Sequence, residues 1–298
     1  MPRLRIGAEA VGKRVDQLVA GAVPGLSAAA ARRLIAAGAV RVGGRTARKG
    51  DRVTAGQTVD VDDAALAARA NTAPAPDATI ALEILHADDA LIAIAKPAGI
   101  PSHPLRPGER GTAANAIVVK FPECASASDE PREAGLAHRL DTATSGVLVA
   151  ARRPDVWRRL RAALTSAGAE KIYLAEVTGA PPARGESSAP IGRVGRRGTR
   201  VRVGAGRLPL PAHTDWDVVE RRDSTALVEV RLHAGRAHQV RAHLAAAGFP
   251  IVGDDRYGGG AAERLHLHAL SVRFHHPVTG EVISIAAPPP EWAKITPQ

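Results

Sequence analysis

Aromatic residues make up 3% of the 298 residues: three tryptophans, two tyrosines and three phenylalanines. Repeated stacking of bases on aromatic side chains is therefore a poor candidate for any nucleic-acid grip. Cysteine occurs once, at Cys124, which rules out an intrachain disulfide and a four-cysteine zinc site and fits a reducing compartment. Long apolar runs are missing as well. The longest uncharged run, Gln17 to Ala31, is interrupted by Pro24-Gly25 and is too short to cross a bilayer. The N-terminus has no apolar segment of the kind a secretory signal needs. A cytoplasmic protein without a membrane partner is expected.

Basic charge is abundant. Forty Lys and Arg face thirty Asp and Glu, a formal net charge of +10. The charge is not spread evenly: residues 1–61 carry +7, 62–138 carry −5 and 139–298 carry +8. Two basic blocks around an acidic one favour a polyanionic partner, nucleic acid above all. With 45% hydrophobic residues, the length suits one large core and a smaller second domain.

Residues 14–61 read as a compact unit of two short helices and a small sheet. Val15, Leu18, Val19 and Ala22 fall at helical spacing, and Ser27 is a suitable N-cap for a second helix ending at Gly38. Val40 to Arg45 alternates and turns on Gly43-Gly44, as a two-residue hairpin requires. This order of Arg32, Ile35, Gly38, Val40, Val42, Gly43 and Lys49-Gly50-Asp51 resembles the RNA-binding domain first seen in the fourth small-subunit ribosomal protein. The resemblance implies RNA contact by Arg32, Arg33 and Arg41. Gly7 to Lys13 has P-loop spacing, but Arg14 stands where a Ser or Thr must reach magnesium, so nucleotide binding is not expected there.

Residues 62–78, alanine-rich with Pro74-Ala75-Pro76, read as a linker. From 79 to 290 strand-like and helix-like stretches read as a second domain of the α+β class. Apolar runs at Ile80–Leu85 and Leu91–Ala95 read as strands. They lead to a proline-stiffened loop in which Lys96 and His103 are candidates for phosphate contact. Pro154 and Gly168 bracket a basic helix, Lys171 to Val177 and Ala226 to Leu232 read as strands, and Arg236 to Leu244 reads as a helix. Between them Arg193, Arg196, Arg197, Arg200 and Arg202 mark a basic hairpin suited to phosphates.

The stretch with most chemistry is His138-Arg139-Leu140-Asp141-Thr142-Ala143-Thr144-Ser145-Gly146, set before the apolar run Val147–Ala151. A protein kinase is disfavoured because the downstream Asn, the glycine loop and Asp-Phe-Gly are absent, and Ser145 is not in Gly-x-Ser-x-Gly. Eleven histidines raise the question of a metal, yet His238 and His243 lie about 140° apart around a helix and no His-Glu-x-x-His run occurs. No metal and no cofactor are expected. What remains is a carboxylate among basic neighbours, the kind of group that attacks or stabilises an electron-poor carbon.

Four motifs in order sharpen this. They are Lys96-Pro97-x-Gly99, the stretch around Asp141, Gly235-Arg236-x-His238-Gln239-Val240-Arg241-x-His243, and Gly253-Asp254-x-x-Tyr257-Gly258. Together they resemble the RluA/RluD family of pseudouridine synthases. That resemblance implies, for residues 79–290, a mixed, mainly antiparallel sheet flanked by helices, and isomerisation of uridine in structured RNA, most readily large-subunit ribosomal RNA, by a monomer without cofactor. It implies that Asp141 attacks the nucleoside, at sugar or base, and that Arg241 pairs with Asp141 and favours its charged form. Tyr173 would lie against the uracil and take its C5 proton, and Arg139 would fill the gap left by the flipped base. Ala234 stands where the family has Thr, and Leu208 to His213 lacks the family's Gly-Lys-x-Ala-x-Thr. Transfer RNA as substrate, or a non-catalytic RNA chaperone or ribosome assembly factor, are the alternatives.

Overall fold

A computed structural model describes residues 3–23, 26–70, 72–195, 200–232 and 235–295. Arg196 and Arg197 of the basic hairpin, and Ala234, lie outside the described residues.

The N-terminal unit comprises β1 (Arg3–Arg5), α1 (Val15–Ala22), α2 (Ala28–Ala36), β2 (Val40–Val42), β3 (Arg45–Thr46), β4 (Thr58–Val61) and α3 (Asp63–Ala70). Its sheet runs β1-β4-β2-β3. Ser27 caps α2 as its residue type predicts, accepting the Ala30 N–H at 3.1 Å. Val15, Val19, Ala31, Leu34 and Ile35 from the helices meet Val40, Val42, Val59 and Val61 from the strands in one core.

The unit is larger than the sequence pattern indicates. The strand β1 precedes residue 14, and the expected linker begins with the helix α3. No residue of α3 is buried, so it shows no apolar period, but its alanine-rich composition favours helix and Ala65 and Leu66 lean on the core.

The larger domain contains β5 (Glu83–Ala87), β6 (Leu91–Lys96), α4 (Ala113–Lys120), β7 (Ser145–Ala151), α5 (Pro154–Ala163), β8 (Glu170–Thr178), β9 (Arg184–Ser187), β10 (Ile191–Val194), β11 (Arg200–Val203), β12 (Arg207–Leu210), β13 (Thr214–Arg221), β14 (Thr225–Leu232), α6 (Gln239–Ala246), β15 (Leu267–His275) and β16 (Val282–Ala286). The main sheet has the order β5-β6-β7-β15-β8-β14-β13-β9, with β16 on β15. Among the described residues only the β7–β15 pairing is parallel. The basic hairpin forms a separate three-stranded sheet, β11-β10-β12.

Every residue of β7 is buried, because helices cover both faces. Val147 and Val149 meet Val156, Trp157 and Leu160 of α5. Leu148 and Ala150 meet Ala113 and Ile117 of α4 on the other side. A strand buried on both faces reads as a continuous apolar run, which is why residues 147–151 show no alternation. Farther along the sheet, Val240 and Leu244 of α6 pack on Ala175, Val177, Val228 and Val230.

Gly146 is required where β7 meets β15. It has φ +115°, and a Cβ there would stand 2.1 Å from the Ala269 carbonyl oxygen. Gly146→Ala is expected to cost about 3 kcal/mol or more, from backbone strain plus the forced separation of two strands. A thermal melt checks this, and an unchanged melting temperature would contradict the packing argument.

Candidate active site

Asp141 sits in the loop that enters β7, and three devices hold that loop. The Ser102 hydroxyl accepts the Leu140 N–H at 3.0 Å and donates to the Leu140 carbonyl at 2.8 Å. His138 Nε2 accepts the Val149 N–H at 3.1 Å. Burial, and then the Lys171 charge, push the His138 imidazole down to about 3, so it is a neutral acceptor. The turn closes with the Thr144 N–H on the Asp141 carbonyl.

Lys96 is the third device, and here the structure corrects the expectation of phosphate contact. The side chain is 1% exposed. Its amine donates to the Pro97 and Ile100 carbonyls at 2.8 Å each and to the Thr142 carbonyl at 3.3 Å. Burial drives the Lys96 pKa down to about 7, opposed by the Asp141 charge, and the three acceptors also favour the ammonium, which has three donors to give. His103 likewise does not reach out for a phosphate. It is buried, with Nδ1 2.9 Å from the Pro104 carbonyl. Lys96 thus braces the loop that carries Asp141 through the Thr142 carbonyl, to which the Gly99 N–H also donates at 2.9 Å.

Arg241 arrives from α6, 100 residues away in sequence. Its Nη1 donates to Asp141 Oδ2 at 3.0 Å. Nε and Nη2 donate to the two oxygens of Asp254 at 2.7 and 2.8 Å. Burial alone would lower the Arg241 pKa, but hydrogen bonds and charge from Asp254, then Asp141, carry it above the ordinary arginine value. Asp254 is fully buried and also accepts the N–H groups of Arg256 and Tyr257. A buried guanidinium with two carboxylates is the arrangement that such a charge requires. Asp141 Oδ1 has no hydrogen-bond partner among the described residues.

These groups line a cleft of about 420 Å³. Tyr173 forms its wall, packed between the core under α4 and the core under α6. Burial, and next the Asp141 charge, push the Tyr173 phenol above its ordinary value, so in the free protein it is a neutral phenol. Arg139 lines the same cleft with an exposed side chain. Arg161, Lys171, Arg193 and Arg236 add positive charge around it.

The structure thus brings together Asp141, Arg241, Tyr173 and Arg139, and leaves Lys96 and His103 behind the loop. The three arginines of the N-terminal unit differ. Arg41 is exposed on β2. Arg32 pairs with Asp16 at 3.2 Å, and Arg33 pairs with Glu130 of the larger domain, to which Arg69 also bonds. His238 and Tyr257 enter the site without an assigned role in the sequence reading, although both stand in its motifs. His238 Nε2 lies 3.7 Å from Asp141 Oδ2. Its displacement is backbone-driven: α6 starts at Gln239 rather than 236 because His238 adopts φ 54°.

No helix among the described residues is long and apolar enough to cross a membrane. Among them, Glu186, His213 and Asp215 bring metal-ligand atoms within 4.8 Å of one another, and none of the three lines the cleft.

Comparison with known proteins gives the family. The family model described as RNA pseudouridylate synthase matches residues 90–246, and that of the S4 domain matches residues 13–59. The "Ribosomal large subunit pseudouridine synthase D" of Xanthomonas campestris pv. campestris is 37% identical over 95% of this chain and 87% of its own length. The protein of the same name from Neisseria meningitidis serogroup A is 32% identical over 97% and 79%. Among solved structures, "Human RNA Pseudouridylate Synthase Domain Containing 1" superposes with a TM-score of 0.57 at 25% identity, covering 72% of this chain and 85% of that one. With the matched region enclosing Asp141, Tyr173 and Arg241, and an RNA-binding S4 domain ahead of it, the chain belongs to the RNA pseudouridylate synthase family.

Proposed function

We propose that this protein converts uridine to pseudouridine in large-subunit ribosomal RNA, with Asp141 as the reacting group. The observation that carries this reading is the Asp141 carboxylate, held through Oδ2 by Arg241 while Oδ1 stays open to a basic cleft walled by Tyr173. In the isomerisation the N1–C1′ bond of the nucleoside breaks and a C5–C1′ bond forms. C5 gives up a proton and N1 gains one, so no electrons are exchanged and no oxidant or group carrier is needed. A charged carboxylate suits either attack on the nucleoside or stabilisation of the cationic sugar.

The uridine must leave its stack to reach a carboxylate inside a cleft. Arg139, free of hydrogen bonds among the described residues, is placed to occupy the gap. Tyr173 offers a flat face to the uracil, and its neutral phenol can take the C5 proton only by giving up its own hydroxyl proton in the same step, N1 being the atom that gains one. Arg41 and the exposed arginines of the hairpin sheet supply phosphate contacts, which position RNA without reading its sequence. Lys96 and His103 are outside this set.

Support for the ribosomal target comes from relatives named for it that align with nearly the whole chain, N-terminal unit included. All groups of the site come from one chain, which suits a monomer acting in the cytoplasm beside its RNA. The test is to incubate the protein with unmodified large-subunit ribosomal RNA transcribed with [5-³H]uridine. Tritium release is expected, at positions mapped by carbodiimide modification and primer extension. Release from transfer RNA alone would move the target, and release from neither would overturn the reading.

A further inference from the structure

His238 carries a backbone conformation that its residue type disfavours. With φ 54° and ψ 20° it is left-handed, at a cost of about 1 kcal/mol or more for a residue with a Cβ. The neighbouring Gln239 secures the turn. Its Oε1 accepts the Arg236 N–H at 2.9 Å, and its Nε2 donates to the His213 carbonyl at 2.7 Å and to Thr214 Oγ1 at 3.0 Å. The result is an imidazole between two functional groups. Nδ1 lies 3.1 Å from the Tyr257 hydroxyl, and Nε2 lies 3.7 Å from Asp141 Oδ2.

The line continues outward. The Tyr257 hydroxyl oxygen accepts the Val201 N–H at 3.2 Å and stands 3.4 Å from the Val201 carbonyl. Val201 belongs to β11 of the basic sheet. Two side chains, Tyr257 and His238, therefore connect the hairpin to the catalytic carboxylate.

The distances, 3.1 Å to His238 Nδ1 against 3.4 Å to the Val201 carbonyl, assign the Tyr257 proton. Tyr257 has one proton to give, and His238 Nδ1 is its nearer acceptor. An imidazole that accepts at Nδ1 keeps its own proton on Nε2, the nitrogen that faces Asp141. Burial, against the Asp141 charge, lowers the His238 pKa and keeps the ring neutral. Arg241 grips Asp141 through one nitrogen, which leaves the carboxylate free to swing about that bond. A second donor on the same oxygen would stop the swing, and at 3.7 Å the imidazole stands just beyond hydrogen-bond length.

We propose that His238 is a positioning residue for Asp141, set by Tyr257, and that seating the hairpin sheet on RNA moves Tyr257 so that the imidazole N–H closes onto Oδ2 and turns Oδ1 to the nucleoside. The inference rests on the pseudouridine synthase reading above.

Tyr257→Phe is the clean probe. It keeps the ring, including its edge contact with His238 at 5.9 Å and its place 5.3 Å from the Arg241 guanidinium, and removes only the hydroxyl. With saturating protein on the [5-³H]uridine ribosomal RNA, single-turnover tritium release should slow about 10- to 100-fold, as small misplacements do, with the RNA dissociation constant unchanged. His238→Ala should slow it at least as much, His238→Gln should recover part through its amide N–H, and Tyr257→Phe should slow His238→Ala no further. Arg202→Ala, exposed on β11, should slow release in the wild-type background and leave the Tyr257→Phe rate as it is. A wild-type rate in Tyr257→Phe, or losses that multiply between Arg202→Ala and Tyr257→Phe, would overturn the inference. A wild-type protein that releases no tritium would instead overturn the reading of the site, and the inference with it.

Discussion

Asp141→Asn is expected to lower pseudouridine formation by a factor on the order of 10⁴, the scale seen when a group acting in the transition state is removed. The substitution keeps the shape of the side chain and one carbonyl oxygen for the Arg241 Nη1–H. It removes the charge and the nucleophilic or stabilising oxygen. Arg241 remains anchored by its two bonds to Asp254, so the stability change should stay within about 2 kcal/mol. RNA affinity should hardly move, because the phosphate contacts lie elsewhere. Single-turnover tritium release, a thermal melt and filter binding on one preparation separate the three effects. Product formed at the wild-type rate would remove Asp141 from the chemistry.

The second large effect belongs to Asp254, which touches no substrate. It is fully buried and answers a guanidinium whose side chain is 7% exposed. Asp254→Asn leaves that cation with Asp141 as its only acidic partner among the described residues and turns an amide donor towards either Arg241 or the N–H groups of Arg256 and Tyr257. Removing one partner of a buried pair costs about 3 to 5 kcal/mol, and the melting temperature should fall by roughly 10 °C. Activity should fall too, by about 10²-fold, because Arg241 no longer holds Asp141 in place. A melting temperature that falls while the rate stays at the wild-type value would confine Asp254 to stability.

Lys96 and Asp141 show how differently two site residues read from sequence. Asp141 stands among turn-forming residues ahead of a strand, and turns at strand ends reach the protein surface, so a place at a cleft is legible. Lys96 ends a strand before a proline loop, where a lysine normally meets solvent. Its burial depends on three carbonyls, one of them 46 residues on, that no local pattern brings together. The helix α3 has no buried residue, so its sequence carries no apolar period that marks a helix.

Local chemistry was enough for much else. Ser27 caps its helix, Pro154 opens α5, and alternating or continuous apolar runs place β6, β7, β8 and β14, because backbone hydrogen bonding and side-chain direction act within a few residues. The motif order was enough for the family and for the Asp141–Arg241 pair. Tertiary structure had to decide the rest. The start of α6 moved from 236 to 239 because Gln239 and Tyr257 hold His238 in a left-handed turn. Asp254 became the anchor of Arg241, and the hairpin sheet became connected to the carboxylate. Each of these depends on groups far apart in the chain that meet only when the sheet takes the order in which β7 joins β15 and β8 joins β14. That order is set by the burial of whole faces, a collective quantity that no single stretch of residues contains.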